Sequence, residues 1–246
     1  MTFQGCYGLL TVPTPNLGDE RKLGVSFKSG YGKSNTTFGL NSYSLSKTEN
    51  WQALTYRLNR DFELTANFLR YSRKTAPVSD FNGSGFANGF GVKYTVPWQD
   101  LCFGFQWTPI SANEIDKLDL FQLEHLRTIY VTATEDFRKN IFAFLNLKSC
   151  YTAKKEVEIS STEIQEIGQK NFLIGTLGLE YKESPKFSWI CELECYNYRE
   201  LLVKHPNSCA FNLGYRRTNK DFQLELSGLD LLSNPRAVLG FNWSWN

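Results

Sequence analysis

The chain ends on a strict two-residue alternation that fixes what its last ten residues can be. In Ala237-Val238-Leu239-Gly240-Phe241-Asn242-Trp243-Ser244-Trp245-Asn246, one face carries Ala, Leu, Phe, Trp and Trp, and the other Val, Gly, Asn, Ser and Asn. A period of two is a strand with different surroundings on its two faces. Similar segments recur along the chain in pairs joined by tight turns. Throughout, the larger apolar side chains share one face and small or polar ones the other. That pattern predicts an all-β fold, an antiparallel up-and-down transmembrane β-barrel with its apolar face outward.

Composition agrees with a barrel and excludes several alternatives. At 246 residues the chain suits one closed domain. Lys and Arg (27) nearly balance Asp and Glu (25), giving a net charge of +2, too even for nucleic acid as the main partner. No apolar run reaches the length of a helical span, but barrel strands need none. Met1-Thr2-Phe3-Gln4-Gly5 lacks the basic start and apolar core of a signal peptide, so the expectation is a mature form of an exported protein.

Twelve strands can be counted by face. The first runs from Lys22 to Ser29, with Leu23, Val25 and Phe27 outward. The second spans Trp51 to Leu58, and the third follows with Phe62, Leu64, Ala66 and Phe68 outward. The fourth carries Phe90, Val92, Tyr94 and Val96, and the fifth Leu101, Phe103, Phe105 and Trp107. The sixth, His125 to Glu135, is ambiguous: Arg127, Ile129, Val131 and Ala133 oppose Leu126, Thr128, Tyr130 and Thr132, and either face would serve as the outer one. The seventh spans Asn140 to Cys150, the eighth Leu173 to Tyr181 and the ninth Phe187 to Cys195. The tenth begins at Cys209 and the eleventh at Phe222, and the alternating C-terminal segment is the twelfth. It should pair with the first and leave no free edge. Thr37–Ser46 would extend a strand or add a hairpin, and Lys154–Gln169 would form an outer flap or a helical turn, so fourteen strands is the alternative count.

The connections alternate in length. Those after strands two, four, six, eight and ten are short, whereas those after one, three, five, seven and nine span ten to twenty residues. Short turns face the periplasm in outer-membrane barrels, which would put both termini on that side and the protein in a bacterial outer membrane. Phe62, Trp98, Phe137, Tyr181, Phe187, Tyr215, Phe222 and Trp245 fall at the short turns, where an aromatic belt belongs. Residues 1–21 precede the barrel (22–246) as a lead-in beneath it or a plug within it. Leu9, Leu10, Pro13 and Pro15 are the candidate plug residues, the two prolines opposing regular strand pairing.

The inward faces carry Lys28, Arg57, Lys93, Lys148 and Arg216 against Glu63, Glu180, Glu192, Glu194 and Glu225. In a narrow barrel such charges either cross-pair into a structural network or line a pore for a charged or sugar-like solute. Cys191, Cys195 and Cys209 share an outward face. Small apolar fillers against lipid are the simpler expectation for them, and a disulfide is the alternative. No metal or phosphate motif is present, and no cofactor is expected. Twelve-stranded outer-membrane phospholipases use a His and a Ser two residues apart on one outward face. His125-Leu126-Arg127 lacks that serine and His205 lies in a loop, so an enzyme is not expected.

Two terminal motifs resemble a known family. Gly8-Leu9-Leu10-Thr11-Val12-Pro13-Thr14-Pro15-Asn16, and the closing Ser233-Asn234-Pro235-Arg236-Ala237-Val238-Leu239-Gly240, are similar to the opening and closure of YjbH-like outer-membrane barrels. The resemblance covers some thirty residues, and family members are linked to exopolysaccharide production or export. It implies a non-enzymatic, porin-like role in cell-envelope exopolysaccharide handling, export or passage. A passive channel for small polar or charged solutes and a closed structural or partner-binding barrel are the alternatives. The expected partners are membrane lipid, a polysaccharide or small solute, and the barrel-insertion machinery, to which the near-terminal aromatics would be a signal.

Overall fold

The structure is a computed structural model that describes residues 23–38, 41–76, 83–97, 99–108, 110–112, 126–151, 155–160, 163–167, 171–196, 209–232 and 235–245. Its strands are β1 (Leu23–Phe38), β2 (Asn41–Arg57), β3 (Phe62–Ala76), β4 (Gly83–Thr95), β5 (Leu101–Thr108), β6 (Ile110–Ala112), β7 (Leu126–Arg138) and β8 (Ile141–Tyr151). They continue as β9 (Lys155–Ser160), β10 (Glu163–Ile167), β11 (Asn171–Ser184), β12 (Phe187–Tyr196), β13 (Cys209–Thr218), β14 (Phe222–Leu229) and β15 (Arg236–Trp245). Thirteen of them form one antiparallel sheet, and β3 pairs with β4 to close it into a ring. Because β5 and β6 pair in succession with the same strand, β4, the wall has twelve staves. The terminal strand meets the first as its alternation requires, with Leu23 opposite Trp245, Val25 opposite Trp243 and Phe27 opposite Phe241.

Burial is inverted relative to a water-soluble barrel. Among the described residues the buried positions are mostly polar or charged, whereas Phe27, Leu54, Phe68, Leu145, Leu177, Leu226, Leu239 and Trp243 are exposed on the outer wall. Each large apolar side chain left in water forgoes about 1.5–3 kcal/mol, so a wall of this kind is stable only against an apolar medium. The ambiguous strand resolves in the same sense. Tyr130 is 3% exposed and Thr132 0%, whereas Ile129 on the opposite face is 64% exposed.

The short turns are held by local hydrogen bonds. Asn59 accepts from the backbone N–H groups of Asp61 and Phe62, and the Asn219 N–H donates to the Phe222 carbonyl. Beside these turns Phe62, Phe137, Tyr181 and Trp245 are exposed, while Phe187, Tyr215 and Phe222 are half-buried. Phe62 packs on Tyr94, and Tyr215 on both Phe187 and Trp189. Phe137 sits at a register shift between Asp136 and Arg138. Trp98 lies outside the described residues.

The ring has the expected twelve strands, not the alternative fourteen, because Glu163–Ile167 and Lys155–Ser160 form the expected flap as a separate two-stranded sheet rather than a helical turn. Of the readings open for Thr37–Ser46 the structure takes the paired one: the first long connection is a hairpin in which β1 and β2 continue from Ser29 and Asn50 to Phe38 and Asn41. Strand β11 runs on past Tyr181 through Lys182–Ser184, so the turn after it is confined to Pro185 and Lys186.

Candidate functional site

The strand pleat aims alternate side chains into the barrel, and ring closure brings distant charges together there. Arg57, Glu63, Lys93, Gly104, Tyr130 and Lys148 occupy one continuous register row across β2, β3, β4, β5, β7 and β8. Within that row Lys93 Nζ lies 3.0 Å from Glu63 Oε2. The Tyr130 ring lies over Gly104 and occupies the space a β-carbon would need there. Lys148 Nζ reaches Glu194 Oε2 at 3.4 Å, and the Thr176 hydroxyl donates to the same oxygen.

A second row crosses the closing seam. Lys28 on β1 and Glu225 on β14 both lie opposite Gly240 of β15. Their ion pair, 2.7 Å long, spans that glycine. A β-carbon at Gly240 would come within 3.3 Å of Lys28 Cγ and 3.4 Å of Glu225 Cβ. Arg216, directly across from Glu225, donates to its second oxygen at 2.9 Å and lies 4.0 Å from Glu180. Glu192, fully buried, accepts from Asn212 Nδ2 at 3.4 Å. Both halves of the Lys28–Glu225 pair are shielded from solvent. Taking charges out of water is costly, and an arrangement of this kind holds only when opposite charges and hydrogen bonds meet each group.

All ten lumen residues expected from the sequence therefore belong to the inner face, and the structure joins most of them in ion pairs. Sequence reasoning missed a third group, at the mouth opposite the short turns. Arg236 Nη1 donates to both Glu49 oxygens, at 3.0 and 3.1 Å, and Lys47 Nζ lies 2.8 Å from Oε1. Burial alone would raise the Glu49 carboxyl, but the charges of Lys47 and Arg236 outweigh it and hold its pKa at about 2. Glu49 lies above the apolar band, where Thr48 and Asn50 leave β2 without an apolar outer face. Arg236 is the Arg of the closing Asn-Pro-Arg motif, so part of the signal was present, but its partner is 187 residues away.

Sequence reasoning also missed an apolar patch inside the polar lumen. Phe144, Ile190, Leu229 and Val238 form a buried cluster with Phe142 packed against it. Ile190 and Val238 share a register row, separated by Gly214 and Ser227. Among the cysteines, Cys195 and Cys209 face each other across β12 and β13 and form a disulfide. This corrects the expectation that both are apolar fillers: antiparallel register places their β-carbons side by side. Cys191 is free and half-buried, and Cys102 and Cys150 are free and buried. Leu9, Leu10, Pro13 and Pro15 lie outside the described residues, as do His125 and His205.

No protein-family model and no curated protein sequence matches the chain. Solved structures do match its fold. An outer membrane channel from Pseudomonas putida F1 is similar with a TM-score of 0.62 at 12% identity, covering 94% of this chain and 99% of the channel. The NanC porin is similar with a TM-score of 0.55 at 11% identity over 89% of this chain and 98% of the porin. The KdgM porin in complex with disordered oligogalacturonate gives 0.54 at 9% identity, over 91% and 99%. The chain thus shares the barrel fold of these proteins over nearly their whole length.

Proposed function

We propose that the protein is a non-enzymatic outer-membrane channel, its short turns and both termini on the periplasmic side. In this reading it passes neutral or zwitterionic polar solutes, and a cell-envelope exopolysaccharide is the solute class that the YjbH-like motifs imply. The observation that carries the reading is the inversion of the wall: apolar outside, and inside a lining of amides and hydroxyls among charges that neutralise one another. The disulfide agrees with an oxidising compartment such as the cell envelope. Similarity in fold to porins and channels supports a conduit over a catalyst.

The lumen also argues for the kind of solute. Among the described residues, eight of the ten expected lumen charges lie in ion pairs, so they present no wall of one sign. A solute with a large net charge would have to displace those pairs, whereas a neutral sugar hydroxyl, which only donates and accepts hydrogen bonds, would not. Reconstitution into liposomes tests this. Swelling should be faster with neutral oligosaccharides than with polyanions of equal length. Equal or reversed rates would sink the solute assignment, and no permeation of any solute would sink the channel.

A further inference from the structure

We infer that the outside of the barrel, where β1, β2 and β3 rise above the apolar band, holds a phosphate-bearing lipid of the outer leaflet. Its acyl chain lies in a groove on β14, β15 and β1, and its phosphates meet Lys33, Arg70 and Lys74. The inference rests on the outer-membrane placement of the wall, with the short turns periplasmic, and is independent of what the lumen passes.

Strands β1, β2 and β3 run for 16, 17 and 15 residues, whereas β12 to β15 run for only 8 to 10. The excess lies at the end opposite the short turns, where β2 stays paired with β1 up to Phe38 and with β3 up to Ala76. There the outward parity of Phe27, Tyr31 and Phe68 passes to Lys33, Arg70 and Lys74, and all three cations are exposed. Lys33 and Lys74 share a register row with Ser46 between them, so their strands stand two spacings, about 10 Å, apart. Arg70 lies on the same face of β3, four residues nearer the band. Between the cations this face carries Thr48, Asn50 and Ser72, and no carboxylate. Glu49 points inward and is taken by Lys47 and Arg236, which leaves the outer cations without an acidic partner among the described residues. The rim at the short turns mixes both signs, with Arg60 beside Asp61 and Lys220 beside Asp221. Exposed cations of one sign just above a lipid-facing band match phosphates at the headgroup level, where hydroxyls and amides meet the remaining headgroup oxygens.

The groove supplies the apolar half of the site. Tyr31, Ala237 and Gly228 share an outward register row across β1, β15 and β14, and side-chain size falls along it from a ring to a methyl group to nothing. Leu231 folds back beside Gly228, where an added β-carbon would meet its Cδ2 at 2.8 Å. The result is an open groove of about 350 Å³, walled by Tyr31 and Leu231 and bordered by Lys33 and Arg236 at the end away from the band. Tyr31 and Leu231 are themselves exposed, so the groove presents an accessible apolar face to the membrane. Lys33 borders both the groove and the basic strip. That shared residue sets the orientation of the lipid, with its chain toward the band and its headgroup toward Lys74 and Arg70.

The test uses the folded full chain in zwitterionic detergent micelles, with lipid A, a bis-phosphorylated and acylated glucosamine disaccharide, as the probe. Native mass spectrometry should show lipid A retained on the chain, and phosphatidylcholine at equal concentration should be lost. Each cation at an anionic lipid surface strengthens attachment about fivefold. Lys33→Gln, Arg70→Gln and Lys74→Gln together should therefore weaken binding about a hundredfold, whereas Arg60→Gln with Lys220→Gln at the short turns should leave it unchanged. Ala237→Phe, which fills the groove, should weaken binding several-fold with all three cations in place. Every substituted position is exposed, and mobility on unheated gels reports whether each variant is folded. Lipid A binding unaltered by the triple substitution overturns the inference. So does displacement of lipid A by inorganic pyrophosphate combined with no effect of Ala237→Phe, which would mean an anion site without a seat for a chain. If the chain needs lipid to fold but retains phosphatidylcholine as well as lipid A, the membrane placement stands and the lipid site falls. If the chain folds as a soluble monomer without detergent or lipid, the membrane placement falls and the lipid site with it.

Discussion

Gly240 shows how much one absent side chain can decide. Lys28 and Glu225 sit on strands that are not neighbours, and they meet only because nothing rises from β15 between them. Glu225 then carries two cations, Lys28 and Arg216. Removing its charge would leave both facing one another in a buried site, a loss of about 3–5 kcal/mol. Glu225→Gln should therefore lower stability to urea in micelles by that amount, and adding Lys28→Met should restore part of it. A loss below about 1 kcal/mol would mean that water screens the lumen.

Glu49 makes a different statement, about pH. Its pKa is depressed to about 2 from an unfolded value near 4.5, so its pairing with Lys47 and Arg236 stabilises the folded state fully above the unfolded value. That stability is lost as pH falls through the folded one. The size is about 2–3 kcal/mol, allowing for solvent around Lys47. Unfolding followed between pH 5 and pH 2 should lose this increment in the native chain, and Glu49→Gln should remove it at every pH. An unchanged pH slope in the variant would show that Glu49 is not the group responsible.

At the scale of strands, what could be read from the sequence was limited to where two media differ. Residues 237–245 and 222–228 alternate because lipid-like and polar surroundings face each other across one wall, and their register followed. Above the band both faces of β1 and β2 meet similar surroundings. Alternation fades there, so the sequence offers a strand extension or hairpin at Thr37–Ser46 without fixing the register with which its backbone pairs. The lumen charges were found by the same parity. Their partners were not, since pairing over Gly240 or between Glu49 and Arg236 depends on which strands become neighbours on closure. The apolar wall was missed because Ile190 and Phe144 break the rule by which inner positions were recognised. The disulfide has a similarly local logic. β13 pairs with β14 only from Leu213 to Thr218, and above this the Leu231 N–H bonds to the Phe211 carbonyl and the Asp230 N–H to Asn212 Oδ1. Cys195–Cys209 fastens the upper part of β13 to its one full neighbour, β12. Replacing both cysteines with serine should lower stability by up to about 3 kcal/mol. Amide exchange should accelerate at Cys209–Asn212 and leave Leu213–Thr218 unchanged, whereas uniform acceleration along β13 would refute the local role.

For the whole molecule the decisive quantity is the solvent of the outer wall. A charged side chain on the lipid face of a barrel costs about 2–4 kcal/mol at the midplane and about 0–1 near the interfaces. In a water-soluble barrel an exposed leucine tolerates the same change within about 0.5 kcal/mol. Leu226 is 61% exposed, on the outer face of β14 four residues beyond Phe222 of the belt, whereas Leu232 is 57% exposed in the turn beyond the band. Their exposure is nearly equal, so area alone predicts equal effects. If the wall lies in a bilayer, Leu226→Arg should reduce folding stability in lipid vesicles by about 2–4 kcal/mol and Leu232→Arg by little. In detergent-free buffer the native chain should aggregate rather than fold. Equal small effects of the two substitutions, with a soluble folded monomer, would instead require the apolar wall to be covered by protein. The contrast between these two leucines therefore tests the inversion on which the channel reading depends.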